Sequence, residues 1–191
     1  MWLYESVVKK VFDDVFGKYD LMNDIMSLGI HRIWKQNYIS WLNPQKHTKL
    51  IDVASGTGDI AKLYLDRISN EGEVYCVDEN KEMLKISKKK NNQAKNIKWF
   101  CNRAEKLPFP SDFFNYYTVS FGIRNMDNID FALKEAYRVL KPGGRFICLE
   151  FSKIENEIIE KFYNHYSNLI PKIGKIIVGR DTPYEYLVQS I

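Results

Sequence analysis

The apolar run Leu50-Ile51-Asp52-Val53 passes directly into Ala54-Ser55-Gly56-Thr57-Gly58, and Asp59-Ile60-Ala61 then opens a helical pattern. A strand that feeds a helix through a glycine turn belongs to a layered α/β sheet, and such a turn is where a nucleotide-like ligand lies. Glycine removes side chains there, so backbone can approach the ligand closely. Asp59, in the first helical turn, suits the positive end of the helix dipole. A phosphate-cradling loop would place a lysine after its last glycine, and here that position is Asp59.

Spacing adds a second constraint. The segment Glu73-Val74-Tyr75-Cys76-Val77-Asp78 reads as the next strand and ends in a carboxylate, at about the 20-residue distance from which an acid accepts hydrogen bonds from ribose hydroxyls. Pyrophosphate cofactors are usually met by G-x-G-x-x-G. The form Ser-Gly-Thr-Gly-Asp instead resembles S-adenosylmethionine (AdoMet) dependent methyltransferases, whose cofactor carries ribose, adenine and an amino acid but no phosphate. The plainer alternative is a glycine turn that merely lets a strand meet a helix.

A length of 191 residues with 45% hydrophobic and 27% charged content fits one globular domain with a full core. No apolar run approaches the roughly 18 residues that span a bilayer, and Met1 is not followed by a signal-peptide pattern. The expectation is a cytoplasmic or membrane-peripheral chain. The net charge of +4 includes Lys85, Lys88, Lys89 and Lys90 on one predicted helix, which reads as a solvated face rather than a nucleic-acid patch. Cys76, Cys101 and Cys148 fall in predicted strands without C-x-x-C pairing and are expected as buried, reduced thiols. His31, His47 and His165 show no metal-ligand spacing, so no metal is expected.

Periodicity predicts amphipathic helices over Val7 to Phe16 and Ile30 to Leu42. Strands follow near 49–54, 73–78, 97–101, 115–121 and 144–151, with helices near 59–68, 80–91, 129–140 and 155–169. This alternation gives an α/β fold with a doubly wound, mostly parallel sheet. Asp127 to Asp130 can cap one helix, and Lys141-Pro142-Gly143-Gly144 stops it. Ligands of such sheets sit beyond the carboxyl ends of the strands, where the glycine turn, Asp78, Arg103 and Ser120 converge.

Four further segments narrow the resemblance. They are Tyr19-Asp20-Leu21-Met22-Asn23-Asp24-Ile25-Met26-Ser27-Leu28-Gly29-Ile30-His31-Arg32-Ile33-Trp34-Lys35, Ala104-Glu105-Lys106-Leu107-Pro108-Phe109-Pro110, Ser120-Phe121-Gly122-Ile123-Arg124-Asn125 and Leu149-Glu150-Phe151-Ser152. Together they resemble the ubiquinone/menaquinone biosynthesis C-methyltransferase family across nearly the whole chain. The resemblance implies a Rossmann-like class I methyltransferase fold in a single domain, 1–191. A helical cap over about 1–45 would precede a sheet core over about 46–153 and a helical segment over about 154–191.

The reaction implied is transfer of the AdoMet methyl group to a ring carbon of a polyprenylated benzoquinol or of demethylmenaquinol. A phenol with pKa about 10 is a poor carbon nucleophile, whereas its phenolate pushes charge onto the ortho carbon. Arg124 stays protonated, so its expected catalytic role is to stabilise a phenolate or orient a water that takes the proton. Its alternative role is a salt bridge capping the strand. Asn125 is the second catalytic candidate.

By matching motifs, Ala54, Gly56 and Thr57 resemble the contacts to the methionine part of AdoMet, Asp78 the ribose acid, Arg103 and Ala104 the adenine wall, and Ser120 a contact on strand four. Arg103 departs from the family, which usually has Asn or Asp there, and Asn102 is the substitute candidate. Tyr19, Met22, Asn23, His31 and Trp34 would line a substrate pocket suited to an isoprenoid tail, or form core between the helices and the sheet.

The helix Ile154 to Ile170 carries a wide apolar stripe, including Ile158, Phe162 and Tyr166, that must be covered by the sheet, a second subunit or a membrane surface. A homodimer and peripheral membrane association are what the resemblance suggests. Family members continue past the segment matched by Tyr186 to Ile191 with two further strands, so the expectation here is an exposed edge beside strand five. Cofactor binding should then survive better than turnover. Two alternatives are an AdoMet-binding partner subunit without catalysis and a methyltransferase acting on another small molecule or a nucleic acid. Strand four lacks the Asn/Asp-Pro-Pro-aromatic turn that base N-methyltransferases use, so no nucleic-acid partner is expected.

Overall fold

The computed structural model describes residues 21, 23–24, 27–152, 156, 163 and 166–167. Two compact units divide the chain, Ile33–Glu150 in one, Met1–Arg32 with Phe151–Ile191 in the other. Leu21, Asn23, Asp24 and Ser27 are helical, and the first element described whole is α1 (Ile30–Leu42). There follow β1 (Thr48–Val53), α2 (Asp59–Arg67), β2 (Gly72–Asp78), α3 (Lys81–Lys90), β3 (Ile97–Cys101), β4 (Phe114–Ser120), a 3-10 turn at Ile123–Asn125, α4 (Ile129–Val139) and β5 (Leu140–Leu149).

The strands form one sheet in the order β3-β2-β1-β4-β5, every pair parallel. Successive side chains on a strand face opposite sides, and the sequence places apolar groups on both. Leu50, Val74, Cys76 and Tyr116 join Tyr38, Leu42, Ile60, Tyr64 and Leu65 of α1 and α2 in one core cluster. Ile51, Val53, Tyr75, Val77, Tyr117 and Val119 join Ala132, Ala136 and Val139 of α4 in the other. Covering both faces is what requires near-continuous apolar strands of this kind. On the second face Tyr75 meets Phe109, Phe113 and Phe114 edge-on at centroid distances of 5.1–5.7 Å.

Two caps follow from the sequence. Asn80 accepts the backbone N–H groups of Glu82 and Met83 at the start of α3, and Asn128 accepts that of Phe131 at the start of α4. The fifth strand begins earlier than the pattern predicts. Its pairing with β4 jumps from Phe114↔Leu140 to Tyr116↔Arg145, so Lys141–Gly144 form an excursion between two paired stretches. Gly143 takes φ +77° there, which lets the chain turn back to the ladder.

The cysteines need a correction. Cys76 is buried as expected, but Cys101 and Cys148 are exposed, and all three thiols are free. Cys101 closes β3 and Cys148 lies on β5, which are the two edges of the sheet among the described residues. The helices expected over Val7 to Phe16 and over 155–169 lie outside the described residues, apart from Asn156, which is not helical, and Tyr163, Tyr166 and Ser167, which are. Among the described residues no helix is long and apolar enough to cross a membrane.

Candidate active site

In the order β3-β2-β1-β4-β5 the chain runs outward from β1 in both directions, so β1 and β4 flank the topological switch point where a crevice opens beyond the strand ends. The loop after β1 and the turn after β4 meet there. Ala54 and Phe121 both take positive φ, 53° and 56°, a conformation that residues with a Cβ adopt only where surroundings impose it. A Cβ on Gly122 would collide with the Ala54 Cβ. The two loops thus touch through a glycine.

The cofactor loop is held from behind. Gly56 and Gly58 take φ 52° and 81°, and a Cβ on Gly58 would lie 2.9 Å from Asn91 Nδ2. Asn91 donates to the carbonyls of Ser87 (2.9 Å) and Thr57 (3.5 Å), while Trp99 Nε1 donates to Ser87 Oγ at 3.0 Å. Ser55 N–H continues β1 toward β2 by donating to Val77 O at 3.1 Å. Thr57, between the two glycines, is buried.

Asp78, at the end of β2, accepts Gly56 N–H on Oδ2 (2.8 Å) and Asn80 N–H on Oδ1 (2.9 Å). Each carboxylate oxygen accepts at two lone pairs, so capacity for ribose hydroxyls is left on both. Burial pushes its pKa up to about 6 despite those two N–H donors. Asp52 on β1 is 1% exposed; Oδ1 accepts Thr118 Oγ1–H at 2.8 Å, and Oδ2 has no hydrogen-bond partner among the described residues. Burial lifts Asp52 to about 7, opposed by the Thr118 hydroxyl and Lys35.

Asp59 opens α2 and is gripped by Lys35 Nζ (2.8 Å) and Lys90 Nζ (2.7 Å). Its burial would raise the pKa, but the two lysines hold it at about 2. A glycine loop with a spaced acid and buried, partly unpartnered polar groups fits AdoMet. Gly56, Thr57 and Asp78 are the residues that would hold it.

On the β4 side, Arg124 lies in the 3-10 turn Ile123–Asn125 with its side chain 17% exposed. Its guanidinium donates to Glu150 Oε1 and to Phe121 O (3.1 Å). The alternative role of Arg124, a salt bridge at the strand ends, is therefore present alongside its place in the crevice. Asn125 N–H donates to Gly122 O at 3.1 Å, and Ser120 ends β4 opposite Leu149. Trp34 of α1 meets the Phe121 ring with centroids 6.4 Å apart.

Arg103 is half-exposed and pairs with Glu105 and Asp127, while Ala104 is buried with the second core cluster. Asn23 offers its carbonyl to Ser27 Oγ–H at 2.7 Å. His31 is buried, its Nε2 2.9 Å from Asp24 Oδ1. Hydrogen bonds from Arg32 hold Asp24 well below the usual carboxylate range, with His31 adding to the effect. Tyr19 and Met22 lie outside the described residues. Among the described residues there is no cluster of metal ligands. Lys35 and the pairing role of Glu150 were not foreseen. A lysine inside an otherwise amphipathic helix was the available signal for the first.

The model of the ubiE/COQ5 methyltransferase family matches residues 1–191. The chain is 50% identical over 194 residues to the ubiquinone/menaquinone biosynthesis C-methyltransferase UbiE of Rickettsia bellii (strain OSU 85-389), covering 98% of this chain and 78% of that one. It is 52% identical over 195 residues to the protein of the same description from Rickettsia massiliae (strain Mtu5), with the same coverage. Among solved structures it is similar in fold to a SAM-dependent methyltransferase from Aquifex aeolicus, with a TM-score of 0.59 at 21% identity over 64% of this chain and 66% of that one.

Proposed function

The chain belongs to the ubiE/COQ5 methyltransferase family and is an AdoMet-dependent C-methyltransferase, and we propose that its acceptor is a ring carbon of a polyprenylated benzoquinol or of demethylmenaquinol. The cofactor, when bound, supplies an electrophilic methyl group. The chain's own task is to hold it and to make a ring carbon nucleophilic.

The observation that carries this reading is the Arg124–Glu150 pair at the ends of β4 and β5. A quinol hydroxyl is an ordinary phenol with pKa about 10, and only its phenolate puts enough charge on the ortho carbon. A guanidinium never gives up its proton at working pH, so Arg124 acts by stabilising that oxygen or orienting a water that takes the proton. Glu150 and the Phe121 carbonyl fix its orientation, so the stabilising charge is in place before the acceptor ionises. Asn125 adds an amide beside it in the same turn.

A prenylated acceptor partitions into lipid, and we read the chain as a peripheral visitor to a membrane surface. In support, Ile33 and Trp41 of α1 are 57% and 75% exposed and Trp34 is half-exposed, offering apolar area that α1 does not spend on the sheet. Residues 1–191 then work as one methyltransferase domain.

The test is transfer of an isotopically labelled methyl group from AdoMet to two reduced, short-prenyl acceptors, a methoxybenzoquinol and demethylmenaquinol. Label should appear on the ring carbon and fall by about 100-fold or more in Arg124→Ala. Absence of label from both acceptors, or full transfer by the variant, would overturn the reading.

A further inference from the structure

The connection from β3 to β4 passes β2 and β1 in the sheet order, yet residues 102–113 carry no helix. A crossover between parallel strands is usually a helix, which bonds its own backbone. Without one, the buried part of this segment, Ala104, Leu107 and Phe109, must find partners for its N–H and C=O groups elsewhere. It finds them on α4. Glu135 Oε2 accepts Leu107 N–H at 2.8 Å, and the Arg138 guanidinium donates to Phe109 O at 2.7 Å and to Leu107 O at 3.1 Å. Arg138 also donates to both oxygens of Glu135, at 2.6 and 2.7 Å. Toward the start of α4, Glu105 Oε1 accepts Asn128 N–H at 3.1 Å and Arg103 pairs with Asp127. A Glu and an Arg three residues apart on a helix surface ordinarily contribute little. Here the guanidinium fork meets two carbonyls and a carboxylate at once, so the pair holds one stretch of backbone, Leu107 to Phe109.

That segment begins beside Asp78. Cys101, the last residue of β3, is the register partner of Asp78, and Ala104 is buried in one cluster with Val77. The glycine loop lies on the β1 side of Asp78, bonded to it through Gly56 N–H. A base attached to a ribose at Asp78 therefore extends to the β3 side, against residues 102–105. Adenine offers an amino donor beside a ring acceptor, and hypoxanthine reverses both. A site that reads such an edge rejects the reversed one because its own polar groups are left unpaired. Reading of this kind needs residues 102–105 held in one place, and the side chains of α4 hold them.

We propose that Glu135 and Arg138 are positioning residues for the adenine of AdoMet: by fixing Leu107 and Phe109 they set where residues 102–105 stand, and with that the preference for adenine over another purine. The inference rests on AdoMet as the cofactor and on Asp78 as the acid that meets its ribose.

Calorimetric titration of the full chain with S-adenosylhomocysteine and with S-inosylhomocysteine, which carries hypoxanthine in place of adenine, tests it. The unaltered chain should bind the first about tenfold or more tightly than the second. In Arg138→Lys an ammonium replaces the fork, and S-adenosylhomocysteine should lose about tenfold in affinity, the equivalent of one well-made hydrogen bond. S-inosylhomocysteine, whose edge is already mismatched, should lose less than about twofold. Glu135→Gln keeps the shape of the side chain and an acceptor for Leu107 N–H, so it should fold where Arg138→Lys does not, and should narrow the preference by about threefold or more. Equal losses for both ligands, or an unchanged preference in both variants, would make the pair a brace for the fold alone and overturn the proposal. An unaltered chain that binds both ligands equally would overturn it too while leaving the AdoMet reading in place; one that binds neither would overturn both.

Discussion

The carboxylate of Asp78 at the end of β2 accepts the backbone N–H of Gly56 in the loop after β1, at 2.8 Å. One side chain thereby shapes the loop and, in the proposed reading, is the acid that meets the ribose. Asp78→Asn should weaken S-adenosylhomocysteine binding by about tenfold or more, since an amide cannot accept as an anion does. With its pKa at about 6, affinity of the unaltered chain should fall as pH drops below that value, and the Asn variant should lose this component of the pH profile.

Asp52 should shape stability against pH. Burial pushes its carboxyl up from the ordinary carboxylate range to about 7 in the folded chain. A raised acid favours the folded state most below the unfolded pKa, and that contribution disappears as pH rises through the folded one. Denaturant melts of the ligand-free chain should show about 2–4 kcal/mol of this loss between about pH 4 and 7. Asp52→Asn should flatten that stretch of the curve; an unchanged slope would show that Asp52 is not its source.

Gly122→Ala should damage the site more than the fold. The new Cβ would collide with that of Ala54, so one of the two loops must give way, at about 1–3 kcal/mol. Thermal melts and S-adenosylhomocysteine titration should both register it. Ala54→Gly in the same chain should recover part of the affinity, because it removes the atom that the new methyl meets.

Glu150→Gln should lower kcat about tenfold, about 1.4 kcal/mol, with KM for AdoMet unchanged. The carboxylate pairs with Arg124, which we propose faces the acceptor, whereas the residues proposed to hold the cofactor lie at the ends of β1 and β2. A rise in that KM of the same size would show that the pair serves the cofactor instead.

Tyr38→Phe should destabilise the chain by about 1–3 kcal/mol. The hydroxyl is buried, donates to Ile147 O on β5 at 2.6 Å and accepts Val119 N–H of β4 at 3.1 Å. Removing it leaves both backbone groups short of a partner, and a lowered denaturation midpoint with an unchanged m-value would report that loss.

The alternation of strands and helices is legible in the sequence because each element repeats a period imposed by its geometry. Leu50 and Asp52 face one side of β1 while Ile51 and Val53 face the other, and both faces need apolar neighbours. The glycine loop and Asp78 are legible as positions because each follows directly on an apolar run, at the ends of β1 and β2. Lys35–Asp59, Arg124–Glu150 and Arg103–Asp127 are not, since each joins residues about 24 or more apart whose meeting depends on strand order. Exposure of Cys101 and Cys148 escapes the same way: an apolar run looks alike in a central strand and at a sheet edge.

The hydroxyl of Tyr38 rivets α1 to the seam between β4 and β5. With Lys35 held by Asp59 and the Leu42 carbonyl held by Arg145, α1 is fastened at three places along its length, so its exposed Trp34 and Trp41 are apolar positions fixed beside a rigid sheet.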